Sequence, residues 1–146
     1  MLMLKLLNKI PFFANFSEDN KRMLAESDSF FTQYQAGDYL IREGTTDDTL
    51  LIVVRGTADV FRDARPEQIL VTLSPGAVIG EVSFLTGRPR SSNVVAKEDV
   101  TCFSISRAAL EEMEFAIQLQ FKDELIGILI KHLDMANKTM SGKAPG

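Results

Sequence analysis

Between Phe30 and Ile105 the sequence consists of short apolar runs separated by glycine and polar turn residues. The runs predict strands near residues 29–34, 39–42, 50–55, 57–62, 68–73, 77–79, 93–97 and 100–105. Glycine, proline, aspartate and asparagine reverse the chain between strands, and they occupy the predicted turns at 36–38, 44–48, 55–57 and 74–76. Eight short strands at this spacing predict a barrel or a two-sheet roll. The wholly apolar run from Leu50 to Val54 predicts a strand that is buried on both faces.

Helical patterns flank the strand region. Ser17 precedes two acidic residues and has the sequence signature of a helix N-cap, and Ser106 has the same role before residues 107–113. A longer helix is predicted from about Phe115 to Asn137. We therefore divide the chain into an N-terminal helical segment (1–27), a strand region (28–106), two C-terminal helices (107–138) and a flexible tail or linker (139–146).

The longer helix has two apolar faces. One is a seam with steps of four and three residues, and the other lies beside it. The seam is Phe121, Leu125, Ile128, His132 and Met135, and the second face is Leu119, Ile126, Ile130 and Leu133. Two apolar faces need two surfaces to pack against. The seam predicts either a homodimer or packing on the chain's own strands, and we favour the homodimer.

Composition excludes several classes of function. The net charge of −4 and the pI of about 5.0 argue against direct DNA binding, which needs a basic face. The single cysteine, Cys102, and the single histidine, His132, exclude an internal disulfide and metal sites built from several cysteines or histidines. No apolar stretch approaches the ~20 residues of a membrane span. A cytoplasmic protein that does not associate with membranes is expected, with Cys102 in the core.

The segment LSPGAVIGEVSFLTGRPRSSNVVA carries the chemistry. Arg90 offers paired N–H donors that match a phosphate. Glu81 is an acceptor for hydroxyl groups such as those of a ribose. Together they predict a clamp for one small ligand with a phosphate and a ribose hydroxyl. The plain alternative is a structural ion pair between them, or two solvated loop charges.

This segment resembles the phosphate-binding cassette of cyclic nucleotide-binding domains, the type found in catabolite activators and in regulatory subunits of protein kinase A. Three further elements are similar to that family in order and spacing: 6–17, 37–44 and 49–56. The resemblance runs from about Leu6 to the last helix. It implies an α+β, mainly β fold: an eight-stranded, jelly-roll-like antiparallel β-roll with N-terminal helices, a short cassette helix within 79–92 and two C-terminal helices.

The resemblance also implies which residues bind the ligand. Gly80 and Glu81 would contact the ribose, Val82 and Ser83 would begin a helix facing the phosphate, and Arg90, Ser91 and Ser92 would bind it. The base would lie against Val71, Leu73 and Ile79, with Val94 nearby. Lys131, His132 and Met135 are candidates for a lid over the base, and Arg88 is expected to face solvent. Ile79, Ser83, Phe84 and Asn93 depart from the family's usual residues without removing the clamp.

The leading hypothesis is a cyclic nucleotide sensor that moves its C-terminal helices when it binds 3′,5′-cyclic AMP. A cyclic GMP sensor is one alternative, and a degenerate domain that no longer binds nucleotide and serves protein–protein contact is another. An enzyme is not expected, because few groups for catalysis are present. Neither a cofactor nor a metal is expected. The chain would act alone or as the regulatory part of a longer protein, on an effector that the sequence does not identify.

Overall fold

The eight predicted segments form eight strands in a computed structural model, which describes the backbone of residues 2–143 and the side chains of residues 2–138. The strands are β1 Phe31–Tyr34, β2 Tyr39–Ile41, β3 Thr49–Arg55, β4 Ala58–Phe61, β5 Val71–Leu73, β6 Val78–Ile79, β7 Asn93–Ala96 and β8 Val100–Ser106. They form two four-stranded sheets, ordered β1-β8-β3-β6 and β2-β7-β4-β5, with antiparallel pairing throughout. The predicted α+β class with an eight-stranded β-roll is confirmed.

The core lies between the two sheets. It contains buried side chains from both, namely Ile41, Leu51, Val53, Ala58, Ile79, Val94, Ala96, Val100 and Cys102. The opposite face of β3 is also buried, at Leu50, Ile52 and Val54. Phe13 and Phe103 pack edge to face behind that sheet, with ring centroids 5.2 Å apart. The apolar run 50–54 therefore forms a strand covered on both faces, as its lack of alternation predicts.

Strand β5 differs most from its predicted range. The segment 68–73 contributes only β5, Val71–Leu73, to the sheet. The Gln68 N–H donates to the Arg65 carbonyl at 3.1 Å, which is turn bonding, whereas the Leu70 N–H donates to the Val60 carbonyl of β4 at 2.8 Å. Ile69 and Leu70 are exposed at this edge of the sheet. The strand was predicted too long because an apolar run does not show where regular pairing with the neighbouring strand begins.

Four helices accompany the sheets: α1 Leu2–Asn8, α2 Glu18–Glu26, α3 Glu81–Thr86 and α4 Arg107–Glu111. Single 3₁₀ turns lie at Pro11–Phe13 and Asp28–Phe30. The Ser17 hydroxyl accepts the Asn20 N–H at 3.1 Å, and the Ser106 hydroxyl accepts the Ala109 N–H at 3.1 Å. Both predicted N-caps are therefore present, and each satisfies one of the N–H groups that a helix start leaves without an internal partner.

The chain divides into two compact units, 1–112 and 113–146. The second unit contains α5, Phe115–Lys143. This helix continues past 138, where the flexible tail was expected to begin. Helix propagation adds one hydrogen bond per residue and carries α5 through the small and polar residues there. The remainder of the predicted tail, 144–146, lies outside the described residues. In the predicted seam, Phe121 and Leu125 are fully buried and Met135 is exposed, whereas Leu119, Ile126, Ile130 and Leu133 of the second face are exposed. The homodimer through the seam stays a prediction.

Cys102 is fully buried on β8, and burial raises the pKa of its thiol to about 12. The thiol therefore stays protonated at neutral pH, as a core cysteine should. Within residues 2–143, no helix combines the length and the apolar character needed to cross a bilayer. The same part of the chain has no cluster of three or more histidine, cysteine, aspartate or glutamate residues that could hold a metal ion.

Candidate functional site

The β-roll contains a cavity of about 420 Å³ beside α3. Its walls include nine of the ten residues predicted to bind the ligand, namely Leu73, Ile79, Gly80, Glu81, Val82, Ser83, Arg90, Ser91 and Ser92. Val94, predicted to lie nearby, also lines it. Glu81 and Arg90, nine positions apart in the sequence, are thus brought to one cavity by the short helix and the loop that follow Gly80.

Helix α3 has a glycine at each end. Gly80 precedes it with φ of +83° and Gly87 follows it with φ of +74°. Both are left-handed conformations that glycine adopts without a steric penalty. A Cβ at position 80 would also overlap Nη1 of Arg90. Glycine is therefore favoured here by the position of the arginine as well as by the backbone angle.

Arg90 is almost fully buried, at 4% exposed, and its side chain is held by backbone carbonyls. Nη1 donates to the Gly80 carbonyl at 3.2 Å and Nη2 donates to the Thr49 carbonyl at 2.7 Å. Nη2 also lies 3.6 Å from Oδ2 of Asp47, whose side chain is half exposed. These contacts fix the guanidinium in one orientation at the cavity wall. A buried arginine with fixed donors is suited to bind an anion, because little side-chain entropy remains to be lost.

Apolar side chains from distant strands form a slot in the same cavity. Ile41, Val60, Leu73, Ile79 and Val94 line it, from β2, β4, β5, β6 and β7. Val71 was predicted to join them, but it is 49% exposed and lies outside the cavity lining. It pairs with Val60 at the start of the edge strand β5, where fewer neighbours cover a side chain. Ile41 and Val60, which were not predicted as site residues, line the slot.

Arg88 was predicted to face solvent. It is exposed, and it also lines the cavity together with Pro89. The Thr86 hydroxyl accepts the Arg88 N–H at 3.2 Å and fixes the start of this loop. Arg88 is therefore a second cation at the cavity, beside the buried Arg90.

Phe84 joins α3 to the end of the β-roll. Its ring is buried, and its carbonyl accepts hydrogen bonds from Nε of Arg107, at 3.0 Å, and from Nη2 of the same residue. Carbonyls in the last turn of a helix have no internal partner, so a cation there is favourable. Arg107 begins α4. A displacement of α3 would therefore act directly on the first residue of α4.

The three candidate lid residues, Lys131, His132 and Met135, lie on α5 in the second unit and are exposed. Their role stays a prediction.

Sequence patterns did not reveal several residues that shape the site. Asp47 was assigned only to a turn, Ile41 and Val60 only to strands, and Arg107 only to a capped helix. Asn93 was noted only as a departure from the family pattern. Their contacts with the site join segments far apart in the chain. The one local signal was the pair Asp47-Asp48 beside a predicted strand.

Comparison with known proteins is consistent with this site. The sequence model of the family "Cyclic nucleotide-binding domain" matches residues 31–115, more than half of the chain. Human cGMP-dependent protein kinase 2 is 34% identical over 83 residues, which are 54% of this chain and 11% of the kinase. The chain thus spans about a tenth of the length of the curated relatives it matches.

Two solved structures share the fold over most of the chain. A cyclic nucleotide-binding domain from Methylobacillus flagellatus KT is 27% identical with a TM-score of 0.75, and the match covers 99% of this chain and 83% of that one. The regulatory subunit of a cAMP-independent protein kinase A from Trypanosoma brucei is 26% identical with a TM-score of 0.69. That match covers 90% of this chain and 44% of that one.

Proposed function

The chain belongs to the cyclic nucleotide-binding domain family, and we propose that it binds 3′,5′-cyclic AMP as a regulatory sensor. The observation that carries this proposal is the shared cavity of Glu81 and Arg90, beside an apolar slot. Arg90 would bind the cyclic phosphate, with Ser91 and Ser92 assisting. Glu81 would accept a hydrogen bond from the ribose 2′-hydroxyl, with Gly80 beside the sugar. The base would bind in the slot of Ile41, Val60, Leu73, Ile79 and Val94.

Adenine is the first choice of base because the slot side chains are aliphatic. Guanine has more polar groups on its edge, and each would lose hydrogen bonds to water there. Cyclic GMP is the second candidate, since a 34% identical relative is named a cGMP-dependent kinase and the Ser91 hydroxyl lines the cavity. The Trypanosoma brucei subunit is described as cAMP-independent, so a domain that does not bind cyclic AMP is the third.

Binding would be transmitted through α3. Phosphate binding at Arg90 and Ser83 would draw in α3, and the Phe84–Arg107 contact would pass that movement to α4 and onward to α5. A ligand shifts such an equilibrium only when it binds one arrangement more tightly than the other. Lys131, His132 or Met135 would then cover the base. We also propose that the chain binds its ligand without catalysing a reaction, forms a homodimer, acts on an effector protein and is cytoplasmic.

The test is calorimetric titration of nucleotide-free protein with cyclic AMP and, separately, with cyclic GMP. We expect saturable binding at micromolar or lower concentration, tighter for cyclic AMP. Tighter binding of cyclic GMP would reverse the choice of base. No heat from either ligand, with protein shown to be folded by circular dichroism, would favour the domain that binds no cyclic nucleotide.

The role of Glu81 has its own test. Glu81→Ala is expected to weaken cyclic AMP binding roughly 10- to 100-fold, because a hydrogen bond to a charged group contributes about 1.5–3 kcal/mol. The 2′-deoxy analogue has no 2′-hydroxyl to donate a hydrogen bond to Glu81, so the substitution should change its affinity little. Both ligands are titrated against both proteins. Equal losses for the two ligands would remove Glu81 from the ribose.

A further inference from the structure

Asn93 is the first residue of β7 and is buried, at 3% exposed, next to the cavity wall. Its side chain closes a ring of three hydrogen bonds with Glu43 and Asp63. Oδ1 of Asn93 accepts the Glu43 N–H at 2.8 Å, and Nδ2 of Asn93 donates to Oδ1 of Asp63 at 2.7 Å. The Asp63 N–H completes the ring by donating to Oε1 of Glu43 at 3.0 Å.

The ring continues two strand pairings beyond their ends. β7 lies between β2 and β4, and the β2 pairing ends at Ile41 and Val94 while the β4 pairing ends at Phe61 and Asn93. Beyond those residue pairs, the side-chain amide of Asn93 makes the hydrogen bonds to the neighbouring segments on both sides, to Glu43 and to Asp63. An amide suits this position because it donates and accepts at once, which neither a carboxylate nor an aliphatic side chain does at neutral pH.

The segment held by Asn93 is the one that carries the supports of Arg90. Directly after Glu43, the Gly44 N–H donates to the Arg90 carbonyl at 2.8 Å, and the Arg90 N–H donates to the Thr45 carbonyl at 2.8 Å. The same loop continues to Asp47 and to Thr49, which contact the guanidinium. Loss of the Asn93 bonds would therefore loosen the backbone and the side chain of Arg90 together.

We propose that Asn93 is a positioning residue for anion binding: it holds the 43–49 loop so that Arg90 presents its donors to the cyclic phosphate. This inference rests on the proposed function for its ligand. It also predicts that Asp63, in the turn after β4, influences the affinity of a phosphate that it does not touch.

The first experiment needs no ligand. In the full chain, Asn93→Ala should speed amide hydrogen exchange at Gly44 and Arg90 roughly tenfold or more, as expected when a buried hydrogen bond is lost. The amide of Ile52, at the centre of β3, exchanges through global unfolding and should accelerate much less than those two amides. Unchanged exchange at Gly44 and Arg90, or equal acceleration at all three amides, would overturn the proposal.

The second experiment is a double-mutant cycle on cyclic AMP affinity. Asn93→Ala should weaken binding about tenfold in the parent, which corresponds to one buried hydrogen bond network. It should cause almost no further loss in the Arg90→Ala background, because the positioned group is gone. In the Glu81→Ala background the tenfold loss should persist. Additive losses with Arg90→Ala would show a general effect on the fold and contradict the proposal.

A third experiment exchanges the donor and the acceptor between positions 93 and 63 and tests whether the lost affinity is recovered. Asn93→Asp alone sets a carboxylate against Asp63 and close to Glu43, and it should reproduce the loss of affinity and the faster exchange. Adding Asp63→Asn restores a donor opposite an acceptor and the net charge of the parent. The double variant should recover most of the parent's affinity and most of its slow amide exchange. If the parent binds no cyclic nucleotide, the proposed function fails while the exchange measurements still decide the role of Asn93. Failure of the rescue in both readouts would contradict the ring.

Discussion

Arg90→Ala is expected to reduce affinity for the cyclic nucleotide more than a hundredfold. Removing one partner of a buried charge-assisted contact costs about 2–5 kcal/mol, and each 1.4 kcal/mol is tenfold in affinity. The loss should be large because Arg90 is buried and rigidly held by the Gly80 and Thr49 carbonyls. Isothermal titration calorimetry with cyclic AMP measures it. The affinity of Arg90→Lys should lie between those of the parent and Arg90→Ala, because lysine keeps the charge and loses the paired donors.

Arg90→Ala should also have a lower free energy of unfolding than the parent. The Gly80 and Thr49 carbonyls lose a donor, and an unsatisfied buried acceptor costs about 1–3 kcal/mol. Binding is therefore compared at a temperature where circular dichroism shows both proteins folded. Arg22→Ala, at an exposed position on α2, removes the same charge away from the cavity and should bind as the parent does. Parent-like affinity of Arg90→Ala would exclude Arg90 from phosphate binding.

Gly56→Ala is expected to cause the largest loss of stability among the glycine variants. Gly56 lies between β3 and β4 with φ of +87°, and a Cβ there would overlap the Asp99 carbonyl oxygen and come within 3.0 Å of Val100 Cα. The obstacle is backbone at the start of β8, so it has no side chain to swing aside. We expect a loss of about 4 kcal/mol, at the upper end of single substitutions. Urea unfolding followed by circular dichroism measures it.

Gly37→Ala is the matched control. Gly37 has a similar φ of +91°, and a Cβ there would meet nothing within 4 Å. It should show only the cost of a left-handed alanine, about 1–2 kcal/mol. The difference between the two variants isolates the clash from the backbone angle. Equal losses for Gly37→Ala and Gly56→Ala would show that the contact with the Asp99–Val100 backbone relaxes freely.

Most of the fold was predictable from the sequence because its signals are local. A strand of alternating or wholly apolar residues, a glycine with a positive φ and a serine before a helix each act within a few residues. The caps at Ser17 and Ser106 and the double burial of Leu50 to Val54 follow from such signals. The limits of β5 and α5 did not, because strand pairing and helix propagation at their ends depend on neighbours beyond the pattern.

The eight strands, their turns, and the placing of Glu81 and Arg90 at one site could be predicted from the sequence alone. The residues that surround that site became known from the three-dimensional fold. It set Asp47 and the Thr49 carbonyl against Arg90, brought Ile41 and Val60 into the slot, and closed the ring of Glu43, Asp63 and Asn93. Each of these contacts joins segments 20 to 50 residues apart in the chain. Periodicity reports which face of an element is buried, and the partner on that face is chosen by how the sheets stack and pair.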